Sequence, residues 1–82
     1  MGFIFGKYTI YLEFEDGEKG YLMGLKGDHA MITSQIANAE KWMTSAAAEN
    51  YFHSHDVRYA KNAEYSPIKA AYVASDGKYF RM

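Results

Sequence analysis

The chain has no cysteine and only one proline in 82 residues. Without cysteine, neither a disulfide framework nor a thiolate zinc site can support the fold. No apolar run approaches the ~18 residues that a membrane span requires. The start of the chain lacks a basic region followed by an apolar stretch and a cleavage site, so no secretory leader is read. Together these absences point to a cytoplasmic protein with no membrane association. The net charge of −1 argues against bulk electrostatic attraction to nucleic acid.

Catalytic signatures are missing as well. No serine or threonine stands in a nucleophile-elbow context. Gly17, Gly20, Gly24 and Gly27 are spread along a hairpin and its exit, with no helix start directly after them, so they form no phosphate loop. The acids Glu13, Glu15, Asp16 and Glu18 sit at a solvent-facing turn, which would not raise one carboxyl pKa for acid catalysis. The chain therefore reads as a binding protein rather than an enzyme, with no cofactor.

Aromatic residues are plentiful: 8 Tyr, 5 Phe and 1 Trp make up 17% of the sequence. A chain of this length forms one domain, residues 1–82, and buries only about 60–65% of its unfolded surface. Each aromatic removes ~150–250 Å² from water, which suits a fold short of core volume.

Period-2 alternation marks both ends. Lys7–Phe14 runs into Asp16-Gly17, and Ile68–Ala74 runs into Asp76-Gly77. Asp-Gly between alternating apolar residues signals a hairpin, because a type I′ turn needs positive φ at both central positions. In the first strand Tyr8, Ile10, Leu12 and Phe14 share the core face, and Lys7, Thr9, Tyr11 and Glu13 share the other. Tyr21, Met23 and Leu25 continue as the partner strand, with Gly20 and Gly24 on its opposite face. Glycine within a strand marks a bulge or a close backbone approach. Lys26-Gly27-Asp28 is then expected to break the pairing.

Between the hairpins, Ile32, Ile36, Ala39, Met43 and Ala46 fit the spacing of one long helix. Local signals divide that stretch. Thr44-Ser45 before Ala46-Ala47-Ala48-Glu49 makes an N-cap followed by strong helix formers. The expected order is a helical turn near Ser34–Asn38, a short strand near Glu40–Met43, and the main helix at about 44–54. Val57–Lys61 alternates as a further strand. Asn62–Pro67 is a loop, since Pro67 pushes Ser66 out of helical geometry. The fold class is α+β: a mainly antiparallel sheet of four to five strands with one helix on one face.

The run Ile36-Ala37-Asn38-Ala39-Glu40-Lys41-Trp42-Met43-Thr44, followed by Ala48-Glu49-Asn50-Tyr51, resembles a pattern in small bacterial and phage α+β proteins. That pattern is a strand, an "A-x-x-aromatic" turn, a Thr/Ser cap and an "A-E-x-aromatic" helix. Including Gly20–Leu25, it spans about half the chain. Ala47 stands where a glutamate would complete a capping box. The resemblance supports the fold, carries over no functional residue, and suggests a phage accessory or anti-defence protein that inhibits a host protein.

Two clusters could carry recognition. His53-Ser54-His55-Asp56 has metal-ligand types, but a structural zinc site needs about four ligands and Asp28 and His29 are far off in sequence. A polar helix end with histidines near the dipole accounts for it, and no metal is assigned. Basic and aromatic residues interleave in the second half, at Arg58, Tyr59, Lys61, Tyr65, Lys69, Tyr72, Lys78, Tyr79, Phe80 and Arg81. The binding candidates are Arg58, Tyr59, Lys61, Tyr65, Tyr72, Tyr79 and Arg81. Such residues on a sheet face suit a protein partner, since Tyr and Arg dominate interface hot spots. The alternative is weak binding of single-stranded nucleic acid by stacking beside cations. Exposed strand edges on so short a chain also suggest a homodimer.

Overall fold

Alternation at the start of the chain becomes strand β1 (Thr9–Phe14), with Ile10, Leu12 and Phe14 fully buried on one side. It belongs to a computed structural model that describes residues 6–82; residues 1–5, on which part of the leader reading falls, lie outside the described residues. Strands β2 (Lys19–Lys26), β3 (His29–Thr33), β4 (Ile68–Ser75) and β5 (Lys78–Arg81) follow, with helix α1 (Ser45–Ser54) between β3 and β4. The five strands form one antiparallel sheet in the order β3-β2-β1-β4-β5. This is the expected α+β fold. No helix among the described residues is long and apolar enough to cross a membrane.

The two Asp-Gly turns differ. At Asp76-Gly77 both central residues have positive φ, 53° and 76°, as a type I′ turn demands. At Asp16-Gly17 only Gly17 is positive, at 95°. There Phe14 and Glu18 close a loop of Glu15, Asp16 and Gly17 through a 2.8 Å backbone hydrogen bond. The extra loop residue shifts the register so that Tyr11 lies opposite Tyr21 and Leu12 opposite Gly20. A register shift of one residue turns every side chain of a strand to the other face. Tyr21 therefore points away from the core and Leu22 is buried in its place, correcting the face expected for Tyr21.

The two mid-strand glycines realise both readings of such residues. A Cβ on Gly20 would stand 2.9 Å from the Thr33 carbonyl oxygen and 3.2 Å from the Ile32 side chain, so β3 packs close there. Gly24 follows an irregularity: β2 pairs Leu22 with Ile32 but Gly24 with Met31, leaving Met23 as an extra residue. After this bulge Leu25 lies opposite buried Ala30, on the core side. Lys26-Gly27-Asp28 does not end the pairing. Gly27, with φ of 63°, turns the chain into β3, a strand the sequence reading missed.

Helix α1 starts where the cap indicated. The Thr44 hydroxyl accepts from the Ala47 amide at 3.0 Å. Ala48 and Phe52, one turn apart, are buried in a cluster with Ile10, Leu12, Phe14, Leu22, Ala71 and Val73. The expected strand at Glu40–Met43 is reduced to one bridge between Trp42 and Tyr8. The helical turn near Ser34–Asn38 is a single 3₁₀ turn at Ile36–Asn38, with Lys41 Nζ donating to the Ile36, Ala37 and Ala39 carbonyls.

Val57–Lys61 is not a strand either. Asp56, at φ of 53°, reverses the chain after the helix into a 3₁₀ turn at Val57–Tyr59. Val57 and Ala60 are buried while Tyr59 is 69% exposed, so the operative spacing is three residues and not two. Lys61 then bridges His29 on one side and Pro67 on the other.

Next to it lies Asn62, 1% exposed. Its side-chain amide donates to Asp16 Oδ2 at 2.9 Å and Glu18 Oε1 at 2.8 Å, and its Oδ1 accepts from the Glu64 and Ser66 amides. One buried residue thus ties the first hairpin tip to the 62–67 loop. Asn62→Ala would strand two amides and is expected to lower unfolding free energy by about 2–4 kcal/mol in urea titration. The Asn62 hydrogen bond is also the main reason the Asp16 carboxyl sits below the usual aspartate range. A lowered folded value stabilises above pH ~4 and is lost as pH falls through it. Acid unfolding of the Asn62→Ala variant should lack that component, and an unchanged acid limb would contradict the assignment.

Candidate functional site

Helix α1 covers one side of the sheet, and the other side carries an aromatic row. The registers place Tyr21 opposite Tyr11, Tyr11 opposite Tyr72, and Tyr72 opposite Arg81. Alternation points all four side chains to the same face, away from the helix. The row therefore runs across β2, β1, β4 and β5. Tyr79 stands in the adjacent row, opposite Ala74, which is itself opposite Thr9. Both of these small residues are buried, and their size leaves room for Tyr79 to lean toward Tyr11.

The rings pack edge to face. Tyr11 lies 5.0 Å from Tyr21 and 5.1 Å from Tyr79, with planes at 66° and 71°. Tyr72 completes the group at 6.3 Å from both Tyr11 and Tyr79. Such pairs contribute about 0.5–1.5 kcal/mol each beyond area burial. The Tyr21 and Tyr79 hydroxyls hydrogen-bond at 2.5 Å, linking β2 to β5 with Tyr11 between them. The Tyr72 hydroxyl points to Glu13 Oε1 at 3.4 Å, and the Arg81 guanidinium lies 5.9 Å from the Tyr72 ring centre.

Environment and ionisation agree. Burial pushes the Tyr11 hydroxyl up, helped by Tyr79, Glu13 and Tyr72. The hydrogen bond to Tyr79 is the main reason the Tyr21 hydroxyl is pushed up to about 12, with burial adding to it.

Of the sequence-predicted binding residues, Tyr72, Tyr79 and Arg81 are brought together on this face. Arg58, Tyr59, Lys61 and Tyr65 are not; they lie in the segment between α1 and β4. Arg58 rests 5.9 Å from the Tyr59 ring, Lys61 faces Asp28 at 3.9 Å, and Tyr65 packs edge-on to His29 at 5.0 Å. Tyr11 and Tyr21 were missed as site residues. Tyr11 was already on the outer face of β1, so a correct three-residue turn would have brought Tyr21 beside it.

Two other regions gather polar side chains at the surface. An opening of about 770 Å³ along β3 is lined by Met23, Met31, Ile32, His29, Asn62 and Tyr65 among others. Its histidine and asparagine are used internally: His29 Nδ1 lies 3.0 Å from the Asn62 carbonyl oxygen, and the Asn62 side chain is engaged at both its nitrogen and its oxygen. His55 stacks on Tyr51 at 4.1 Å, and among the described residues no three His, Asp or Glu side chains are placed to hold a metal ion. No protein family, curated protein or solved structure was found that matches the chain.

The hydroxyl pair has a measurable signature. A raised folded value means that the contact stabilises below pH ~10 and is lost as pH rises towards 12. Ultraviolet titration should show one tyrosine ionising late, near 12. In Tyr79→Phe that transition should move toward the ordinary value of ~10. No change in the variant would contradict the pairing.

Proposed function

We propose that this chain is a small non-catalytic binding protein that acts by protein–protein contact through the tyrosine row on its helix-free face. One observation carries the proposal: Tyr21, Tyr11, Tyr72 and Arg81 stand side by side across four strands. Tyrosine and arginine supply most interface hot spots. Rings already fixed against one another lose little rotamer freedom on binding, so more of their contact energy appears as affinity.

The single-stranded nucleic-acid alternative is less well supported. Arg58 and Lys61 lie in the segment before β4, and Glu13 stands within the tyrosine face. The likeness to small phage proteins favours a more particular role, an accessory or anti-defence inhibitor that blocks a host protein in the cytoplasm.

The test is capture from bacterial lysate with matched surface variants. Wild type and Tyr59→Ala should retain the same partner. Tyr79→Ala and Arg81→Glu should lose it by ~10-fold or more, the scale of a hot-spot truncation. Equal retention by all four would overturn the proposal. Capture of nothing but a second copy, lost in the same two variants, would reassign the face to self-association.

A further inference from the structure

Within the tyrosine face is an opening of about 360 Å³, lined by Tyr11, Glu13, Tyr72 and Tyr79. The three ring centres lie 5.1, 6.3 and 6.3 Å apart, with planes inclined at 71°, 53° and 89°. No two of these rings are stacked, and all three line the same opening at steep angles to one another. The face of an aromatic ring carries the negative part of its quadrupole and attracts a cation within about 6 Å of its centre. The Glu13 carboxylate adds a full negative charge to the same wall, with Oε1 3.4 Å from the Tyr72 hydroxyl. Three rings and one carboxylate thus share one opening.

The walls also limit which cation fits. An unmodified ammonium is compact and strongly hydrated, and apolar rings return little for the water it would shed. A methylated ammonium spreads its charge over methyl groups, presents an apolar surface to each ring and is the cation that aromatic cages hold. Arg81 lies 5.9 Å from the Tyr72 ring centre without lining the opening, so a cation already sits against that ring without filling the site. The geometry points to a cage for a methylated ammonium group, held by Tyr11, Tyr72, Tyr79 and Glu13. This inference rests on the tyrosine row being a contact surface, and places one chemical group of the ligand within it.

The test is an NMR titration of the full chain with choline and with 3,3-dimethylbutanol, which has the same shape without the charge. Choline should shift the Tyr11, Tyr72 and Tyr79 ring resonances and bind ~5-fold or more tightly than the neutral analogue. Glu13→Gln, a surface change that leaves the core intact, should weaken choline binding ~3-fold or more, and Tyr59→Ala should leave it unchanged. A peptide bearing trimethyl-lysine distinguishes the sources. Tighter binding than choline assigns the group to a protein side chain, and weaker binding assigns it to a free headgroup. Equal binding of choline and its neutral analogue, or no effect of Glu13→Gln, would overturn the cage. Failure of choline and of the peptide, while Tyr79→Ala still abolishes partner capture, would overturn the cage and leave the contact surface standing.

Discussion

A helix of ten residues is about 15 Å long and ~10 Å across, while five strands spaced ~4.8 Å apart span about 19 Å and have two faces. That mismatch governs the molecule. Helix α1 and the turns that flank it can close one side of the sheet, and there the conventional core assembles from Ile10, Leu12, Phe14, Leu22, Phe52 and Val73. No second helix exists among the described residues to cover the other side. The sheet must finish that face with its own side chains.

Tyrosine is suited to the task because one residue supplies both apolar area and a polar tip. On the open face the rings shield the buried Thr9, Ala70 and Ala74 positions, and the hydroxyls of Tyr21 and Tyr79 satisfy each other. The same packing that stabilises a thin domain leaves a rigid, partly exposed aromatic surface. Stability and the proposed recognition therefore draw on the same residues, and a substitution in the row is expected to act on both. The asymmetry of the two faces is what links fold to proposed function.

Much of this was legible in the residues alone, where one local rule acted without a competitor. Ile10, Leu12 and Phe14 declared the core face of β1, Asp76-Gly77 declared a type I′ turn, and Thr44 declared the start of α1. Failure came where two rules compete. Asp16-Gly17 has the same dipeptide as the second turn but sits in a three-residue loop, because Asp16 bonds Asn62 and its amide donates to the Ser66 hydroxyl. Those partners are about fifty residues away in sequence, so no local pattern announces them. The one-residue difference hid Tyr21 on the wrong face and left Tyr11 without the neighbour that marks the row. Val57–Lys61 failed for a related reason: a short alternation is compatible with both period two and period three, and burial of Ala60 decided it.

The central claim is that the helix-free face, and not the Arg58–Tyr65 segment, meets the partner. Lys19 is exposed and lies opposite Glu13 at the rim of the tyrosine row, so a photo-crosslinking residue placed there reports on the face without disturbing the rings. The same probe at exposed Tyr59 reports on the other region. In cells, position 19 should give a discrete protein crosslink that is lost on adding Tyr79→Ala, and position 59 should give none. A crosslink from position 59 that persists with Tyr79→Ala, with none from position 19, would contradict the account.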